Sequence, residues 1–222
     1  MSADANMIEF ADSMRSAFER RDYVAADRVL RDAWTASELL EFLESAQIDH
    51  VRMAAWALGI VGSQSTACRL VALLGHNNDD VAAVAEEALW HLWMRGGSPE
   101  SVERLALGVR ALRSGNDAIA LDILSRLCDL EPPFAEAHHQ RGLALHGLER
   151  INEAAKAYAE TARLNRYHFA ALATLGHIAV ERDEYAAAVS YYRRALHLHP
   201  RLTEIREILP ALEAALADRI VA

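Results

Sequence analysis

The sequence predicts an all-α protein of packed helical hairpins, and three observations predict it. Alanine and leucine abound while β-branched residues are few, and no run alternates apolar and polar residues as a half-buried strand does. Only 5 prolines and 10 glycines occur, gathered at a few points, which leaves long stretches free for helices. The C-terminal half also repeats itself. Residues 101–134, 135–168 and 169–202, written in lines of 34, align without a gap. Gly108, Gly142 and Gly176 share one column, Ala120, Ala154 and Ala188 a second, and Leu130, Leu164 and Leu198 a third.

From the N-terminus, residues 5–34 read as a hairpin. "RRDYVAADRVLRDA" spaces Tyr23, Ala26, Leu30 and Ala33 as Tyr185, Ala188, Tyr192 and Ala195 are spaced later, so it is either a divergent copy of the later repeat or a plain capping hairpin. Next come the apolar segments "SELLEFLES" and "STACRLVALLG", each followed by a second helix, "VRMAAWALGIVG" and "VAAVAEEALWHLW". A turn ending in aspartate, then valine early and Ala-Leu later, is similar to HEAT-type repeats, and Asp79 or Asp80 is expected to cap its helix. "GGSPES" is the clearest punctuation: Gly96 and Gly97 end one helix, and Ser98 caps the next with Pro99 in its first turn.

The 34-residue line that follows resembles the tetratricopeptide repeat, a helix–turn–helix unit. A glycine inside the first helix costs about 1 kcal/mol relative to alanine. It is tolerated where the second helix must come close, with Ala188 expected to supply the matching small surface, Tyr185 and Tyr192 the filling, and Ala195 the seat for the next helix. Pro200 stops the second helix. The middle line departs from the pattern, with His138 and Arg141 at apolar positions and Thr161 at the seating alanine. Residues 203–218 read as a closing helix that Pro210 kinks or restarts. Together the resemblances imply a right-handed α-solenoid: residues 1–97 a hairpin plus two HEAT-like repeats, and residues 98–222 three tetratricopeptide repeats with a capping helix.

Composition narrows the function. The chain carries 23 basic and 32 acidic residues, a net charge of −9, and shows no basic run, which argues against a nucleic-acid partner. Residues 1–100 hold 8 basic against 16 acidic residues, so the excess acid lies at the front. Cys68 and Cys128 are too few for a disulfide framework. The start "MSADANMIEF" lacks a basic stretch followed by an apolar run, and no segment reaches membrane-spanning length, so a soluble cytoplasmic protein is expected.

No chemistry-bearing motif appears: no phosphate-binding glycine loop, zinc-protease motif, nucleophile elbow or paired-cysteine site. No catalytic residue, cofactor or metal is assigned. Residues four and then three apart share a face on the first helix of each repeat, and the resemblance makes that face the lining of a groove. It assigns Leu105, Val109 and Leu112 in the first repeat; His139, Leu143 and His146, with Gln140 beside them, in the second; and Ala173, His177 and Val180, with Thr174 and Glu181 beside them, in the third. His139, His146 and His177 could converge on zinc or copper only with a further ligand, which the sequence does not offer. Packing is the favoured reading for the apolar trio and for Trp56, Trp90 and Trp93. The lysine and asparagine clamp by which some of these repeats hold a C-terminal carboxylate is missing, since Leu105, Val109, His139, Leu143, Ala173 and His177 occupy the groove. The expectation is a non-catalytic adaptor binding a peptide or helix of another protein, with neither nucleic acid nor membrane as partner. The alternatives are a chaperone shielding a client segment and, further off, a HEAT-like lyase, an enzyme subunit or a metal-binding protein.

Overall fold

Residues 3–221 are described in a computed structural model, with side chains described for 5–217. They form thirteen α-helices and one 3-10 turn at Gln64–Thr66, and no strand occurs among the described residues. The helices fall into two units, Met1–Trp93 and Met94–Ala222.

In the first unit, α1 (Ala3–Glu19) and α2 (Tyr23–Ala33) form a hairpin, followed by α3 (Ala36–Phe42), α4 (Ile48–Val61), α5 (Ala67–Leu73) and α6 (Asp79–Met94). Thr35 and Glu38 make a reciprocal capping box at α3. The cap of α6 is Asn78, whose Oδ1 accepts the Val81 N–H at 3.1 Å; the expected aspartates lie inside the helix instead. Phe10 packs on Phe42 and Trp34, and Phe18 and Tyr23 pack on the buried Trp56. Trp93 is buried and Trp90 half-buried, packed edge-on to each other, which answers the packing question for these rings. A Cβ on Gly59 would lie 2.7 Å from the Ala88 backbone, so α4 and α6 touch there at backbone distance. Ala26 and Leu30 are buried as the hairpin comparison expects, but Ala33 is exposed, so that likeness stops before the seating position.

In the second unit the helices pair as α7 (Pro99–Arg113) with α8 (Asp117–Leu130), α9 (Ala135–Gly147) with α10 (Ile151–Leu164), and α11 (Phe169–Glu181) with α12 (Tyr185–Leu198); α13 (Thr203–Val221) follows, running through Pro210 as one helix. Ser98 caps α7 with Pro99 in its first turn, and the Ser98 N–H and hydroxyl both donate to Glu131 beyond the end of α8. The turn inside each hairpin uses one left-handed residue, Gly115, Glu149 and Asp183, again 34 apart, and Arg21 does the same between α1 and α2.

The glycine column has the expected cause but another partner. A Cβ on Gly108 would lie 2.6 Å from the Leu124 side chain, on Gly142 2.6 Å from the Tyr158 ring, and on Gly176 2.4 Å from the Tyr192 ring. The second helix therefore lays a large side chain on each glycine, and the buried alanines at 120, 154 and 188 make room one turn earlier. Three apolar clusters lie in sequence, each drawing on a hairpin and the helix after it. No hairpin covers its own apolar surface, so each needs a neighbour.

Candidate functional site

The stripe assigned to a groove separates into three kinds of residue. Leu105 is wholly buried in the cluster of α7, α8 and α9, and Val109 and Leu112 pack half-buried against it. His139 and Gln140 are buried as well. These findings correct the sequence reading for Leu105, His139 and Gln140: packing, or a commitment to neighbouring polar groups, closes them to a partner. Leu143 is 40% exposed, Glu181 is exposed, and His146, Ala173, Thr174 and His177 are half-buried.

His139, His146 and His177 do not converge on one point. His139 turns toward Glu136 and His168, while His177 Nδ1 lies 2.7 Å from the Tyr192 hydroxyl. Burial pushes the Tyr192 phenol up to about 12, so the hydroxyl keeps its proton and shares a hydrogen bond with His177 Nδ1. Thr174 turns its hydroxyl back to the Ala170 carbonyl at 3.0 Å.

What the sequence reading missed is the polar cluster of the middle repeat. Glu136, His139 and His168 are all buried, with one ligand-type atom from each within 4.8 Å of the others. Glu136 Oε1 accepts from Gln140 Nε2 at 2.7 Å and from His139 Nδ1 at 3.2 Å, while its Oε2 accepts from His168 Nε2 at 3.1 Å. At its other nitrogen, His168 Nδ1 accepts the Ala171 N–H at 3.1 Å and so caps α11. Burial would push the Glu136 carboxyl up, but the charge of His139 and the bonds donated by His139 and His168 outweigh it and hold the carboxyl well below its usual range. Burial pushes His168 down to about 4.

These three residues are the metal-ligating group the fold brings together among the described residues, and they do not fit a metal. His168 accepts a backbone N–H at Nδ1, so its one proton must sit on Nε2, the atom that faces Glu136. That nitrogen has no lone pair to give. The cluster is a hydrogen-bonded set centred on the Glu136 carboxylate. Its signal in the sequence is the repeat register: Glu136 aligns with Val102 and Ala170, His139 with Leu105 and Ala173, and His168 with Phe134 and Leu202. Three polar residues replace three apolar columns at once, and they satisfy one another.

The other irregular residues of this repeat are also accommodated. His138 donates from Nε2 to the Pro132 carbonyl at 2.9 Å, and the Thr161 hydroxyl donates to the Ala157 carbonyl at 3.0 Å. Cys128 is buried, and that burial pushes its thiol up to about 11, which makes it a packing residue.

A glycine met by a large side chain in each C-terminal hairpin, one left-handed turn residue in each of them and a 34-residue period define a helical-repeat protein. Residues 169–201 match the tetratricopeptide repeat, so the chain carries at least that repeat of the family. Two solved structures are similar to the chain. One is "MamA RS-1 ArsTM double mutant", at 17% identity and a TM-score of 0.44, covering 87% of this chain and 94% of that one. The other is "MamA 41-end from Desulfovibrio magneticus RS-1", at 16% identity and a TM-score of 0.43, covering 89% and 97%. No curated protein matches the chain. Among the described residues no helix is long and apolar enough to cross a membrane.

Proposed function

We propose that the chain is a non-catalytic scaffold that binds a peptide or helical segment of another protein along the first helices of its C-terminal repeats. The observation that carries this reading is Leu143. It is an aliphatic side chain left 40% exposed on a helix whose neighbouring positions are buried, one turn before His146 on the same face of α9. The aligned stripe of α11 offers Ala173, His177 and the exposed Glu181. In this reading Leu143 receives an apolar side chain of the partner, and the half-buried His177 ring offers a polar contact to the peptide backbone. His139 and Gln140 act indirectly, by holding Glu136 and so fixing α9 against the start of α11. The two free cysteines support a reducing, cytoplasmic setting.

The test is affinity capture from the protein's own cell extract, with mass spectrometry, of the wild type and of Leu143→Asp with Glu181→Arg. Both positions are exposed, so the helical content measured by circular dichroism should be unchanged. One protein retained by the wild type and lost from the variant supports the site. Equal capture by a folded variant places the partner elsewhere.

A further inference from the structure

Helix α11 has a second face. Leu172, Leu175, Ala179 and Arg182 lie along one stripe at helical spacing, on the side of α11 away from Ala173 and His177; the first three are buried in the core, and Arg182 is exposed. Two clefts open along it. One, of about 560 Å³, closes at its bottom on the buried Leu175, Ile178 and Ala179, and its reachable walls are Ala155 and Ala159 of α10 and Tyr191 of α12. The second, of about 400 Å³, is lined by Leu172 and Leu198 together with Arg166, Arg193, Arg194 and His197.

The charge of these walls runs against that of the chain. The two clefts are lined by Lys156, Arg166, Arg182, Arg193 and Arg194 and by a single carboxylate, Glu184, in a protein of net charge −9. The folded chain thus assembles a basic surface that no run in the sequence displays. Its cations are partly held in place. Arg193 pairs with Glu213 of α13 at 2.8 Å, and Arg182 donates to Asn152 Oδ1 at 2.7 Å. Arg166 stacks over the Tyr167 ring at 4.7 Å, and Arg194 lies 6.0 Å from the Tyr191 ring centroid. Neither Arg166 nor Arg194 has a carboxylate within ion-pair distance among the described residues. Guanidinium groups placed in this way over an apolar floor suit carboxylates, which they can hold bidentately.

We propose that this outer surface of α10, α11 and α12 is a second docking site, and that its occupant is an acidic peptide segment of a partner protein with aliphatic anchors between its carboxylates. The anchors lie against the half-buried Leu198 and Tyr191 and the exposed Ala159, and the carboxylates meet Arg166 and Arg194 at one end and Lys156 at the other. The small side chains of Ala155 and Ala159 let the peptide backbone come close. This site is separate from the Leu143 stripe and does not depend on it.

Fluorescence anisotropy on the full chain tests the proposal, with a labelled peptide in which glutamates flank two leucines and a twin carrying lysines in place of the glutamates. The glutamate peptide should bind, more weakly as salt is raised, and the lysine twin should not. Arg166→Glu with Arg194→Glu should weaken binding at least about tenfold, as expected when close charge pairs are reversed. Arg104→Glu with Arg126→Glu gives the same net charge away from the clefts and should leave binding unchanged, as should the Leu143→Asp, Glu181→Arg variant. Ala159→Glu, an exposed position on the wall, should also abolish binding without loss of helical signal. Equal weakening by both arginine pairs, or binding of both peptides alike, would reduce the effect to bulk charge and overturn the site. Binding to phosphatidylserine vesicles with none to the glutamate peptide would overturn it in favour of a lipid headgroup.

Discussion

Replacing His168 by asparagine separates its two jobs. Asparagine Oδ1 stands where His168 Nδ1 stands and can still accept the Ala171 N–H, so the cap of α11 survives. The shorter side chain cannot reach Glu136, so the buried carboxylate loses one of its three donors. A hydrogen bond to a charged group contributes about 1.5–3 kcal/mol, and that is the expected loss of stability at about pH 8. The pH dependence follows from the same contact. The folded-state value of His168 is pushed down to about 4 from an ordinary 6.5, so between those values the unfolded chain binds a proton that the folded chain excludes. Its stabilisation is complete above about pH 6.5 and is lost as the pH falls toward 4. From about pH 8 to about pH 5 the loss comes to about 2 kcal/mol. Glu136, held low in the fold, acts in the same direction only below the ordinary carboxylate range, and His138, also pushed down by burial, adds a loss of the same sign in both proteins. Urea titrations followed by circular dichroism at several pH values should therefore show the wild type and His168→Asn well apart at pH 8 and nearly together at pH 5. A gap that stays constant, or widens in acid, would refute the assignment of His168 as a neutral donor to an ionised Glu136.

Three further outcomes are expected. Gly176→Ala sets a Cβ 2.4 Å from a ring wedged in the core, so overpacking of about 1–3 kcal/mol should exceed the roughly 1 kcal/mol gained in helix propensity, and thermal denaturation should show a lower Tm. Glu149→Gly should stabilise by about 0.5–1 kcal/mol, because φ of 58° strains any side chain other than glycine, and its Tm should rise by about 2 °C. A thiol reagent applied to the folded protein should modify the exposed Cys68 quickly and the buried Cys128 only after denaturant is added.

The repeat register was legible because backbone proximity constrains residue size directly: a glycine every 34 positions is hard to explain otherwise. Which side chain meets that glycine was not legible. Ala188 and Tyr192 lie four apart on one face of α12, and both satisfy the spacing. Helical side chains lean back toward the N-terminus, so the Tyr192 ring covers the turn above Ala188, and the alanine is small because the ring lies over it. The site was legible only as a face. Helical periodicity put His139, Leu143 and His146 on one stripe, but only the neighbour at Glu136 decides that the first is buried and the second exposed. That neighbour is three residues away on the helix, whereas the third partner, His168, is 32 residues on, beyond the reach of any local pattern. The basic clefts were invisible for the same reason. Their cations come from separate segments that only the folding of α10, α11 and α12 brings together.

The Glu136 cluster also gives the hairpins an address. A chain of near-identical units can fold with a neighbour skipped, or exchange a hairpin with another molecule, because one apolar face accepts another of the same shape. Among the described residues, only the middle hairpin brings a buried carboxylate to its junction, and the start of α11 brings the histidine that meets it. A junction without His168 would leave the Glu136 carboxylate short of its third donor, a penalty of about 1.5–3 kcal/mol. The set of three thus favours the native sequence of assembly, as a keyed connector fits its own socket best.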